Sequence, residues 1–349
     1  MRYVQAAVIA GILALFFLTS CDEEQSRRLP RHSGKSGEIM LVMGDELWHG
    51  PVGDSLRGVL EAFVPLLPQA EPRFSLLRFR LDQMSNLLKQ HRNIVELEID
   101  ESLDEEDAGV KVIKDKWASH QLVIRARARS EGELIEFISR DFERVCSLID
   151  RTEIERLQKR YEKLNNPEIS QLIREKFGIE MRIPTDTEIA KEKNNFIWIK
   201  RERTKYKGNT PHEITQGFFI FRYPYRGAES LSEEELLAAR DSVLKLHVPG
   251  PDPGTYMTTE YRFPPYSNSL NFNGSYAMRT TGLWRVENYF MGGPFTCLTT
   301  TSPDGNYVVS ISGFVFAPNF PKREFIREVG AVIEGARFVM EDSNSDQNE

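Results

Sequence analysis

The stretch "PFTCLTTTSPDGNYVVSISGFVFAP", Pro294–Pro318, decides the fold. Two runs rich in β-branched and aromatic residues flank Ser302-Pro303-Asp304-Gly305-Asn306. In such a turn proline presets one φ, aspartate bonds its own backbone, and glycine supplies positive φ at little steric cost. The stretch therefore reads as an antiparallel hairpin with enough apolar residues to face a core. A final helix, from Lys322 to about Phe338, is expected to pack on that sheet.

Upstream of the hairpin, Asn165-Asn166 before Pro167 marks a break, and "PEISQLIREKFG" after it has helical spacing. "IEMRIP" (179–184), "NFIWIKRER" (195–203) and "QGFFIFRYPY" (216–225) pattern as strands, with Pro224 placing the last at an edge or an end. "LSEEELLAARDSVLKLHV" (231–248) is a marked helix, with Ser232 and Glu235 as a capping box. "YAMRTTGLWRVENYF" (276–290) reads as one further strand.

The preceding part repeats the mixture. "GEIMLVMG" (37–44) is an apolar run between glycines, read as a buried strand, and "PVGDSLRGVLEAF" (51–63) is an amphipathic helix. "RFSLLRFRL" and "RNIVELEID" read as strands joined by a short helix through Met84, Leu87 and Leu88. "VKVIKDKW" into "HQLVIRARA" reads as a hairpin, and a long helix follows from about Glu131 to Leu164. The expected fold class is α+β, in two domains (37–164 and 165–341), each a mainly antiparallel sheet covered by helices. Residues 342–349 read as a disordered acidic tail.

At the N-terminus, the apolar run Ala6 to Leu18 is shorter than the about 20 residues needed to cross a bilayer and fits a secretory signal behind Arg2. Leu18-Thr19-Ser20-Cys21 has the pattern of a bacterial lipobox, so residues 1–20 are expected to be cleaved and Cys21 lipidated (diacylglycerol and an N-acyl chain such as palmitate). The acids Asp22, Glu23 and Glu24 match a surface-export signal of Gram-negative lipoproteins, or a solvated tether. Residues 21–36, polar and basic, read as a flexible stalk. The expected location is the outer membrane, lipid-anchored, on its periplasmic or cell-surface face. The net charge of −7 argues against a nucleic-acid partner.

No GxSxG, Walker loop, HExxH, GxGxxG, CxxC or paired-histidine spacing occurs. The sequence therefore assigns no catalytic residue, no metal and no cofactor. Cys146 and Cys297 read as buried free thiols. Candidate binding residues fall in two segments. In "GDELWHGPVGD" (44–54), Trp48 and His49 occupy a loop after a strand, although Trp48 equally suits a core edge. In "TTGLWRVENYFMGGPF" (280–295), Trp284, Arg285, Glu287, Asn288 and Tyr289 crowd ahead of Gly292-Gly293, and strand alternation puts Leu283, Arg285, Glu287 and Tyr289 on one face. "FRYPYRG" and "YRFPPYSNSLNFNGSY" add tyrosines beside arginines, as at a protein or glycan contact surface.

The motifs "GEIMLVMGDELWHGPVGD", "KQHRNIV", "KFGIEMRIP", "NNFIWIKRE" and, above all, "ENYFMGGPF" followed by "SGFVFAP" resemble the DUF4837 family of bacterial lipoproteins, over most of the chain after the stalk. The resemblance implies an exported, lipid-anchored α+β protein without an assigned activity. The expected role is a non-catalytic binding or accessory one, for an envelope protein, glycan or lipid. The alternative is an envelope hydrolase acting on glycan or peptide, with acids and His49 or His91 assembled by the fold.

Overall fold

The computed structural model describes residues 29–339. The signal run, Cys21, Asp22, Glu23, Glu24 and the acidic tail lie outside the described residues. Along the chain run β1 (Glu38–Val42), α1 (Asp45–His49), α2 (Pro51–Leu60), β2 (Ser75–Phe79), β3 (Asn93–Ile99), β4 (Gly109–Lys114), β5 (Leu122–Ala128) and the long helix α3 (Glu131–Lys163). Then come α4 (Pro167–Phe177), β6 (Ile179–Glu180), β7 (Glu188–Lys193), β8 (Phe196–Lys207), β9 (Thr210–Pro224) and α5 (Glu233–His247). The chain closes with β10 (Met257–Thr259), β11 (Tyr266–Phe272), β12 (Ser275–Val286), β13 (Tyr289–Thr301), β14 (Tyr307–Phe316), α6 (Arg323–Glu334) and β15 (Arg337–Phe338). The fold class is α+β, as expected. Among the described residues no helix is long and apolar enough to cross a membrane.

The first sheet has the order β2-β1-β3-β5-β4. Here the expectation of a mainly antiparallel sheet is corrected: β1 runs parallel to β2 and β3, β3 runs parallel to β5, and only β4 pairs antiparallel, with β5. The reason is connectivity. α2 carries the chain back between β1 and β2, and a parallel neighbour requires such a crossover. The continuous apolar run of β1 fits this arrangement, because both of its faces are covered. Ile39 and Leu41 face α2 and α3 among Leu56, Phe142 and Ile149, while Met40 and Val42 join Ile94 and Val123 beneath Trp117.

The second sheet is antiparallel throughout, in the order β10-β12-β13-β14-β9-β8-β7, with β11 also on β12. The Ser302–Asn306 hairpin joins β13 to β14 as read from sequence, and α6 packs on them. Pro224 ends β9, which lies inside the sheet rather than at its edge. Ser232 caps α5 by accepting from the Glu235 amide, and Asn166 caps α4 in the same way from Ile169.

α3 serves both sheets. Its first half supplies Leu134, Ile138, Phe142 and Ile149 to the first core; its second half supplies Ile154, Leu157 and Tyr161 to the second. Glu71 adds a further tie, since its carboxylate accepts from the Lys322 amide at 2.6 Å and the Arg323 amide at 2.9 Å. A carboxylate at the start of α6 meets the positive end of the helix dipole.

The segment Pro30 to Ser36 is docked on the body, not a flexible stalk. Ser33 exchanges backbone hydrogen bonds with Gln90 and Arg92, and Ser119 donates to the Pro30 carbonyl. These are backbone pairings, which a polar composition does not reveal.

Candidate functional site

The crowded segment 280–295 is not one strand. The chain reverses at Glu287-Asn288, with Asn288 at φ 58° and Val286 opposite Tyr289. Asparagine tolerates that left-handed conformation better than most residues. Alternation therefore stops at Val286, yet Arg285 and Glu287 still meet, Nη2 donating to the carboxylate at 2.5 Å. Gly292 and Gly293 are needed for close approach: a Cβ on Gly293 would strike the Val315 carbonyl, and one on Gly292 the Trp284 carbonyl.

Trp284 is 1% exposed, donates from Nε1 to the Val315 carbonyl at 3.2 Å, and sits edge-on to the Phe314 ring. It is a core residue and forms a floor, not a contact face. Above it lies an open groove of about 1110 Å³. One wall is the β12–β13 hairpin with Arg285, Asn288, Tyr289 and Phe290. A second is the connection after β10, Glu260 to Phe263. A third is Leu66–Gln69, a loop of the first half of the chain. Leu66 holds φ 56°, a left-handed conformation uncommon for a leucine.

The groove pairs aromatic rings with a ribbon of fixed charge. Tyr261, Phe263 and Tyr289 are exposed, and Phe290 is entirely so at 106%. The Glu260 carboxylate takes Nε of Arg262 at 3.0 Å, with Arg285 Nε at 4.0 Å. The hydrogen bonds from Arg262 hold Glu260 at a pKa of about 2. Tyr261 donates to Asp241 at 2.9 Å, and burial first, then that carboxylate, push its phenol up to about 12. Beneath the neighbouring face lies Arg240, 2% exposed, 3.7 Å from the centre of the Phe295 ring. Its Nη1 donates to Thr259 and lies 3.4 Å from Asp241, while Nε and Nη2 find no partner among the described residues.

The other candidates lie elsewhere. Trp48 is half-buried at the edge of the first core, with Arg57 stacked 4.4 Å from its ring centre, and His49 is exposed at the end of α1. Neither lines the groove. His91 has an acid nearby, Glu38 at 3.7 Å, but is 4% exposed and covered by Gly34, where a Cβ would enter its ring. Burial lowers its pKa. No cluster of three or more metal-ligating side chains occurs among the described residues. Cys146 and Cys297 are free and buried, burial raising the Cys146 thiol to about 12.

Sequence reasoning joined neither Leu66–Gln69 nor Glu260 to the hairpin. Residues 261–263 were legible as aromatic-basic, but their neighbour 25 or so positions away was not. It also missed a buried polar knot. Glu153 of α3 is 0% exposed and accepts from Asn93 at 2.8 Å and Arg156 at 2.7 Å, with Arg92 at 3.0 Å.

Residues 166–335 match a domain of unknown function, DUF4837, and residues 32–162 match another, DUF8532. The resemblance read from sequence over most of the chain is thus corrected in extent: the motifs at 37–54 and 89–95 fall in the second match. No curated protein sequence matches the chain. Three solved structures are distantly similar. The Saccharomyces cerevisiae Ran-binding protein Mog1p is 9% identical, over 46% of this chain and 90% of its own, with TM-score 0.31. LpqN of Mycobacterium tuberculosis, involved in cell envelope biogenesis, is 15% identical over 45% and 79%, with TM-score 0.25. A Bacteroides thetaiotaomicron protein is 11% identical over 47% and 46%, with TM-score 0.21.

Proposed function

From the match of residues 166–335 to the DUF4837 domain, we propose that this chain is a lipid-anchored envelope protein whose groove captures a segment of a partner protein. The observation that carries the reading is Phe290. A wholly exposed phenylalanine just past the hairpin turn, grouped with the exposed Tyr289, Tyr261 and Phe263 around a groove, makes an apolar patch of the kind that marks an interaction site. Aromatic residues, methionine and arginine are the types enriched at protein–protein interfaces, and Phe290, Tyr289, Met291, Arg262 and Arg285 all line this groove. Glu260 and Glu287 hold the two guanidinium groups in place, which lowers the ordering cost on binding.

The anchor belongs to the same proposal. The Leu18–Cys21 pattern supports lipidation at Cys21, and Asp22-Glu23-Glu24 supports display on the outer surface. Two acyl chains hold a protein stably at a membrane. Protease shaving of intact cells, with Cys21→Ala and an acid-free variant beside the wild type, decides between surface and periplasm.

The groove is tested by placing a photocrosslinking phenylalanine analogue at position 290 in cells, and at the exposed Leu246 as a control. A discrete protease-sensitive adduct at 290 that disappears with Arg285→Ala supports capture of a protein. An adduct removed only by a glycan-cleaving enzyme, or equal labelling at both positions, overturns it.

A further inference from the structure

A second cavity, of about 340 Å³, lies where the docked segment 31–36 meets α3 and α6. Four guanidinium-bearing residues line it: Arg31, Arg92, Arg156 and Arg160. Two of them, Arg92 and Arg156, share a single buried carboxylate, Glu153, and Arg156 spends its remaining donors on Asn93 and on the carbonyls of Arg92 and His120, so it offers the cavity charge and not hydrogen bonds. Arg31 and Arg160 have no ion pair among the described residues. Two acids also line the cavity, and both are already engaged. Glu324 is held by Arg323 and Arg327, and Glu328 by Arg201 and Arg203. The cavity thus carries an excess of positive charge.

Two of its lining groups are also incomplete. Arg92 is 9% exposed and its Nε has no hydrogen-bond partner among the described residues; Nδ1 of His32 is buried and has none among them either. Buried polar atoms are nearly always paired, so each unpaired one asks for an absent water or ion. Burial lowers the pKa of Arg92, and lowers Arg156 to about 10. His32 is brought down to about 4, by burial first and then by Arg92, Arg156, Arg31 and His120. After burial, the arginines are the next influence on the imidazole, and their field at His32 is positive.

We propose that this cavity binds a phosphate group. Guanidinium groups match the oxygens of phosphate two at a time, and such charge-assisted hydrogen bonds are about twice as strong as neutral ones. Ten residues separate Arg31 from Cys21, a reach of at most about 36 Å. With Cys21 in a membrane, the phosphate of a lipid headgroup is therefore within range, as is free phosphate.

The test uses the full chain in neutral detergent micelles, titrated with inorganic phosphate while the His32 imidazole is followed by NMR. A bound anion counters the arginines, so His32 should titrate at higher pH in a saturable way. The exposed pair Arg31→Gln and Arg160→Gln should keep the melting temperature and weaken phosphate at least tenfold. A parallel arm places the chain in phosphatidylcholine nanodiscs with and without phosphatidylglycerol. A His32 shift in nanodiscs of either lipid without added phosphate, larger with phosphatidylglycerol, assigns the headgroup source; one driven by inorganic phosphate alone assigns the free anion. No saturable shift in either arm, an equal shift in the double variant, or the same shift from sodium chloride at matched ionic strength overturns the proposal.

Discussion

The two faces of the second sheet are built from different materials. β14 shows this within one strand: Val309, Ile311 and Val315 point to one side, Ser310, Ser312 and Phe314 to the other. The first side is mainly aliphatic, with Ile197, Ile199, Ile220 and Leu298 beside Phe218, and it is sealed by α3, α4 and α6. The second is aromatic, with Phe196, Phe219, Phe221, Trp284 and Phe295, and its helical cover is α5. Buried polar groups collect there, among them Arg240 and Cys297, and at one end it opens into the groove. The lesson is a division of labour. The aliphatic side holds the two halves together, and the aromatic side, less fully covered, carries the surface available to a partner.

The comparison is most exposed to failure at Trp284. Trp284→Ala should cost about 3–5 kcal/mol, through the cavity left and the orphaned Val315 carbonyl. Ile311→Ala on the sealed side should cost about 2–5 kcal/mol. Chemical denaturation measures both; a loss under 1 kcal/mol for Trp284→Ala would make that residue a surface group after all. Phe290→Ala should leave stability within about 0.5 kcal/mol, as expected of an exposed side chain. It should nevertheless weaken partner capture at least tenfold, the loss of a hot-spot aromatic. Arg240→Met should change stability by no more than about 1 kcal/mol either way. It trades a guanidinium with two nitrogens unpaired among the described residues, but with Nη1 on Thr259 and near Asp241, for an apolar chain of similar length. A cost of about 3 kcal/mol would mean that the contacts of Nη1 with Thr259 and Asp241 outweigh the penalty of the two unpaired nitrogens.

The smallest effect concerns pH. Glu260 is lowered in the folded state, so its contribution is fully present above the ordinary carboxylate range and is lost as pH falls toward about 2. Glu260→Gln should therefore flatten the stability profile between about pH 4.5 and 2 and leave its shape above pH 5 unchanged. Thermal melts across that range measure it.

Local signals made much of this legible. The Ser302–Asn306 turn, the capped α5 and the periodic α3 are written in neighbouring residues. β7 was not: "EIAKEK" is an exposed, charged edge strand, and edge strands are kept charged to discourage pairing, which erases their apolar alternation. The parallel order of the first sheet depends on which strands a crossover brings together. Glu153 looks like any other acid of a charged helix until Asn93, Arg92 and Arg156 arrive from elsewhere. The groove follows the same rule. Asn288 carried a local turn signal that one long strand reading obscured, whereas Pro65 and Pro68 mark Leu66–Gln69 as a loop without saying what it lies against.

The double service of α3 has a consequence for inheritance. A chain cut after Lys163 would leave the second core without Ile154, Leu157 and Tyr161, and the first half with a bare apolar stripe on its last helix. Gene fission there would yield two fragments that each require the other. The shared helix thus makes the two matched halves, 32–162 and 166–335, depend on one another for a closed core.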